Sequence, residues 1–194
     1  MQTQQDPSTV TIAIILGTVR EGRQSEKAAK WVAEQARLRP DTEVVFVDPR
    51  DYPMAYDGNN PETRSQAYAD ITARADAFYV ITPEYNHSYP GSLKRLLDSE
   101  YDNYHHKVIG FAGVSSGLWG GARACEALLP VAHRMGLAVI QSEMYFPRVQ
   151  DIFDDDGAMR PEHRGAYMQT VQRAFDELVW YAHTLKAGRT GREA

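Results

Sequence analysis

The chain has a single cysteine, Cys125, in 194 residues, so no internal disulfide can form and a reducing cytoplasm is the expected compartment. It lacks a basic excess: the formal net charge is −5, which disfavours nucleic acid as a partner. It lacks a long apolar run, so nothing reads as a membrane span, and the opening MQTQQDPST has no basic start to suggest a signal peptide. It lacks both phosphate-loop signatures, GxxxxGK followed by Ser or Thr and GxGxxG. No nucleophile stands beside a base, and no metal set has ligand spacing. His105 and His106 are adjacent and point apart. Asp154, Asp155 and Asp156 lack the spacing and terminal Glu of a calcium loop and read as a solvated turn. Cys125 falls on a helix as a buried small hydrophobe, with a redox thiol as the alternative, and His133 and His183 fall on helices as packing or surface residues.

What is present is an alternation. VTIAIIL (10–16), EVVFVD (43–48), AFYVIT (77–82), KVIGFAGVS (107–115) and LAVIQSEMYF (137–146) read as five strands, mostly apolar and rich in β-branched residues. Helices are expected over about 25–38, from an Asn60 cap and Pro61 to about Arg74, around Leu93, Leu96 and Leu97, over ARACEALLPVAHRM, where Pro130 should introduce a kink, and across about 161–186. VQDIFDDDG, between the fifth strand and the last helix, reads as an acidic loop. Strand–helix alternation implies an α/β, three-layer sandwich with a five-stranded parallel sheet, as one domain over 10–187, preceded by a disordered segment (1–9) and followed by a flexible tail (188–194). Such sheets bind ligands beyond the carboxyl ends of their strands, so the loops after strands 1, 3 and 4 are the candidate site.

The first loop, GTVREGRQS, offers hydroxyls (Thr18, Ser25), guanidinium forks (Arg20, Arg23) and the free amides of a helix start. That composition suits a phosphomonoester, or else an ordinary connection whose arginines face water. The second, PEYNHSYPG, is stiffened by Pro83 and Pro90. It can aim backbone groups, together with Asn86 and Tyr85, at a flat polar heterocycle. Glu84 and His87 either brace it or face a subunit neighbour. The third, VSSGLWGGARA, brings Ser115, Ser116 and Gly117 as donors, or is simply a glycine-rich connection. DYPMAYDG, after strand 2, is rich in aromatic and apolar groups for a loop and reads as a structural connection.

Together GTVREGR·S, PEYNHSYPGSLKRLLD and GVSSGLWGGARA closely resemble the NADPH-dependent FMN reductase family, over about residues 10–150. The resemblance implies a flavodoxin-like fold with strand order 2-1-3-4-5 and FMN as cofactor, with NADPH or NADH as co-substrate. It implies FMN-phosphate ligands at Thr18, Arg20 and Ser25, helped by Arg23 or Gln24. A ring-binding loop falls at Pro83, Glu84, Tyr85 and Asn86, and contacts to the far ring edge at Ser115 and Gly117. Glu26 stands where many members have Asn. The implied activity is a ping-pong oxidoreductase passing electrons to a quinone, flavin or similar small acceptor, with no catalytic side chain, as a homodimer or homotetramer. A flavodoxin-type electron carrier, or a protein using FMN only structurally, are the alternatives.

Overall fold

The computed structural model describes residues 9–56, 60 and 62–191. Its centre is three parallel strands: β1 (Val10–Leu16), β3 (Ala77–Pro83) and β4 (Val108–Val114). Every residue of β1 and β4 is buried, because helices cover both faces of the sheet and leave no polar side to alternate with. β2 (Thr42–Val47) closes one edge against β1 and is half-buried. The order is β2-β1-β3-β4-β5, with β5 at Ala138–Val139, and the fold is α/β and flavodoxin-like, as the resemblance implied.

The helices divide between the two faces. α1 (Ser25–Arg37) and α6 (Pro161–Thr190) pack Trp31, Val32, Phe175 and Leu178 against Ile12, Ile14 and Tyr79. α2 (Gln66–Arg74), α3 (Gly91–Asp98) and α4 (Ala122–Arg134) pack Tyr68, Leu93, Leu97 and Leu128 against Ala13, Ile15 and Phe78. Leu93, Leu96 and Leu97 therefore belong to the core of this chain, where each fully buried leucine contributes about 1.5–3 kcal/mol. Pro130 sits inside α4, which remains a single helix.

Four expectations change. The fifth strand is two short ones, β5 (Ala138–Val139) and β6 (Met144–Phe146), paired with opposite ends of β4. Between them the Glu177 carboxylate on α6 accepts from the amides of Gln141 (2.8 Å) and Ser142 (2.9 Å), taking donors a continuous strand would place in the ladder. Second, α2 begins at Gln66, capped by Ser65, whose hydroxyl accepts from Tyr68 N. The Asn60 carboxamide instead caps one turn, accepting from the amides of Glu62 and Thr63, and Pro61 lies outside the described residues. Third, the last helix continues to Thr190, so residues 188–190 are helix and not tail. Lys186 and Arg189 hold it to Asp76 at 2.9 and 2.7 Å. Fourth, the acidic loop opens with a helical turn, α5 (Val149–Ile152).

The register sets the site. Leu16 lies beside Ile81, and Pro83 beside Val114, so β1, β3 and β4 deliver their following loops to one rim. Gly17 is required there: a Cβ would come within 2.8 Å of Thr82 Cβ and 2.9 Å of the Ile81 carbonyl.

Candidate functional site

The three loops enclose an open cavity of about 380 Å³. Nine of the eleven sequence-predicted residues line it: Thr18, Arg20, Arg23, Gln24, Ser25, Pro83, Glu84, Tyr85 and Ser115. Asn86 lines an adjoining groove of about 630 Å³, shared with Thr18, Arg20 and Tyr85. Gly117 borders neither; its carbonyl accepts from Ser115 Oγ (3.0 Å) and Arg148 N (2.9 Å), which shapes the third loop from behind. Sequence reasoning missed Val149, which reaches the cavity from the start of α5.

The first loop leads into α1. Gln24 occupies the cap position of α1 without a side-chain cap bond, and the Glu26 and Lys27 amides turn back to the carbonyls of Arg23 (3.4 Å) and Gln24 (3.1 Å). Ser25 is 2% exposed, and its Oγ is buried without a hydrogen-bond partner. A buried hydroxyl left unpaired at a helix start beside a cavity is the feature an acceptor-rich phosphate would complete. The Arg20 side chain bonds no described residue. Thr18, 1% exposed, joins two loops: its Oγ1 accepts from Arg20 N (3.2 Å) and lies 3.0 Å from the Tyr85 hydroxyl.

Arg23 lines the cavity too, but four of its guanidinium bonds go to protein. Nε donates to Glu26 (3.2 Å), Nη1 to the Thr18 carbonyl (2.7 Å) and to Asp48 (2.9 Å), and Nη2 to the other Asp48 oxygen. Burial works against its charge, yet Asp48 and Glu26 more than offset this and hold it above its ordinary value. Glu26 also pairs with Lys30 at 2.7 Å, and these bonds depress its carboxyl.

The second loop explains its own composition. Tyr85 and Ser88 exchange reciprocal backbone bonds of 2.8 and 3.0 Å across Asn86 and His87, whose φ values are 50° and 65°. Two consecutive left-handed residues make a mirror-type tight turn. Asn tolerates that conformation readily and His less so, so the turn stores some strain at the cavity mouth. Glu84 N donates to Val114 O (3.2 Å). Its Oε1 accepts from Arg123 (3.1 Å), whose guanidinium carbon lies 5.0 Å from the Trp119 ring centroid, and its Oε2 is buried without a partner.

Cys125 is fully buried on the inner face of α4. Burial, with the charges of Glu143, Glu126 and Glu84, pushes its thiol well above its ordinary value, so it stays protonated and unreactive. Among the described residues, no group of three His, Cys, Asp or Glu could hold a metal ion, and no helix is long and apolar enough to cross a membrane.

The arrangement can hold a mononucleotide. The start of α1, residues 83–85 and Ser115 line one cavity, with Asn86 in the adjoining groove. A family model described as NADPH-dependent FMN reductase matches residues 10–151. The chain is 31% identical over 177 residues to the 2-hydroxy-1,4-benzoquinone reductase of Burkholderia sp., covering 87% of this chain and 95% of that protein. It is 30% identical over 162 residues to an NAD(P)H-dependent FMN reductase of Schizosaccharomyces pombe, covering 75% and 80%. Among solved structures, the flavoenzyme NAD(P)H:(acceptor) oxidoreductase FerB of Paracoccus denitrificans superposes with a TM-score of 0.73 at 25% identity, over 91% of this chain and 98% of that one. A flavodoxin variant from Pseudomonas aeruginosa, at 14% identity and a TM-score of 0.55 over 86% and 98%, shares the fold alone.

Proposed function

The chain belongs to the NADPH-dependent FMN reductase family, and from that premise we propose that it reduces a quinone, flavin or similar small acceptor at the expense of NAD(P)H, in a ping-pong cycle. The observation that carries the cofactor assignment is the unpaired, buried Ser25 hydroxyl at the uncapped start of α1. FMN, when bound, supplies the redox chemistry: it takes a hydride from the nicotinamide and passes two electrons to the acceptor.

The protein's own work is placement. Ser25, Arg20, the amides of the first loop and Thr18 would hold the phosphate. Pro83 to Asn86 would hold the ring along a turn whose backbone is already fixed by the Tyr85–Ser88 bonds, so little ordering remains on binding. Ser115 would meet the far ring edge. Its amide is committed to Phe146 O (3.1 Å), which leaves the hydroxyl, now on Gly117 O, to re-aim. The cavity is open, so donor and acceptor can use one face in turn. No general base or nucleophile is required, and the buried, protonated Cys125 takes no part. A homodimer or homotetramer and a cytoplasmic location complete the reading.

The purified protein should be yellow, and its flavin absorbance should bleach when NADPH is added without air and return with a quinone. Protein that stays colourless after incubation with FMN would remove the assignment. FMN binding without NAD(P)H turnover would favour the electron-carrier or structural-flavin alternatives instead.

A further inference from the structure

We infer that Arg50, with Asp48, is a positioning element of the phosphate cradle, supplied by the connection after β2 and not by any of the three cavity loops. This rests on the reading of the first loop as a phosphate site. Arg50 lies on a short 3-10 turn (Pro49–Asp51) capped by the Asp48 carboxylate. Its Nε and Nη2 donate to the Val19 carbonyl at 3.1 and 3.0 Å, and Nη2 donates to the Arg20 carbonyl at 2.7 Å. Arg23 Nη1 takes the Thr18 carbonyl at 2.7 Å. Three consecutive carbonyls of the loop are thus each held by a guanidinium.

Asp48 ties the two arginines together. One carboxylate oxygen accepts from Arg50 N (3.0 Å) and Arg23 Nη1 (2.9 Å), and the other accepts from Arg23 Nη2. In a planar trans peptide the N–H points opposite to the preceding C=O. Holding the carbonyls of Thr18, Val19 and Arg20 on the arginine side therefore turns the amides of Val19, Arg20 and Glu21 the other way. The Arg20 amide does reach Thr18 Oγ1 (3.2 Å), on a residue that lines the cavity. Arg50 itself lines neither the cavity nor the adjoining groove, so it acts through the loop. A planar fork suits this task because its Nε and Nη2 take the Val19 carbonyl together while Nη2 also takes that of Arg20, which fixes the orientation of both peptides.

The test compares FMN with riboflavin, which lacks the phosphate, by fluorescence titration of wild-type, Arg50→Ala and Arg50→Lys proteins, with thermal melting alongside. Arg50 is solvent-exposed, so the variants should fold and melt close to wild type. Arg50→Ala should weaken FMN by about fivefold to tenfold while leaving riboflavin within about twofold. Arg50→Lys, which keeps the charge but loses the fork, should weaken FMN as well. Unchanged FMN affinity in Arg50→Ala, an equal loss for both ligands, or wild-type affinity in Arg50→Lys would each overturn the clamp. Wild-type protein that binds no FMN would instead overturn the reading of the site on which the clamp rests.

Discussion

Ser25→Ala should change stability and affinity in opposite directions. In the ligand-free protein, Ser25 Oγ is buried and unpaired at the first helical position, while the cap position belongs to Gln24. Removing the hydroxyl therefore sacrifices no cap. It relieves an unsatisfied polar group, worth about 1–3 kcal/mol, and alanine is the better helix former. Against this stands a small void where one oxygen was. The net expectation is a gain of about 1 kcal/mol, or about 2–4 °C in melting temperature for a chain of this size. In the complex the same hydroxyl would donate to a phosphate oxygen, a charge-assisted bond contributing about 1.5–3 kcal/mol. Its loss should weaken FMN by roughly tenfold to 150-fold, with riboflavin almost unaffected. Thermal melting of flavin-free protein and fluorescence titration of both ligands measure the two effects. A variant that melts lower than wild type, or that binds FMN equally well, would refute the argument that this orphan atom awaits an anion.

Gly113→Ala should be poorly tolerated, because its Cβ would lie 2.5 Å from the Gly120 carbonyl and 2.7 Å from the Gly121 backbone, while β4 is held by β3 and β6 on either side. The expected loss is about 3 kcal/mol by denaturant unfolding, and a change below about 0.5 kcal/mol would contradict the packing described. Acid should destabilise the first loop through Asp48. Burial would raise this carboxyl, but bonds from Arg23 and the Arg50 amide outweigh it and hold it below the ordinary 3.8. Below that value the unfolded chain binds the proton more readily, so this stabilisation is complete above it and is lost as pH falls through the depressed folded value. Asp48→Asn should flatten the stability–pH curve in that window, and an unaltered acid limb would argue against the ion pair.

The parts of the fold legible in sequence are those whose cause is local. β1, β3 and β4 are covered on both faces, so burial writes an apolar run that can be read directly. The break in the fifth strand could not be read, because the carboxylate that captures Gln141 and Ser142 comes from Glu177, more than thirty residues later. The start of α2 misled for a different reason: Asn60 does cap, but only one turn, and Ser65 takes over where the helix proper begins. At the candidate site, topology carried most of the information. Parallel strands force their following loops to one rim, so nine of the eleven named residues meet around one cavity whatever their individual roles. The roles themselves were harder. Nothing in GTVREGRQS distinguishes Arg20, without a partner among the described residues, from Arg23, bonded to an aspartate twenty-five residues away.

That distinction matters for an acidic chain. Of the two arginines that line the cavity, Arg23 is answered by Asp48 and Glu26, and the charge left for an incoming phosphate is chiefly that of Arg20. One exposed guanidinium is weakened by salt, since at physiological ionic strength charges are screened over about 8 Å. On the proposed reading, recognition would rest largely on groups in direct contact: the Ser25 hydroxyl and correctly turned amides. Amides carry no net charge and act only through direction, so whatever fixes the peptide planes of residues 18–21 governs affinity. Arg23, in the cavity wall, and Arg50, outside it, both fix them through carbonyls. An arginine aimed at the ligand would add charge; an arginine aimed at the loop's carbonyls adds direction, and in this cavity direction is the scarcer quantity.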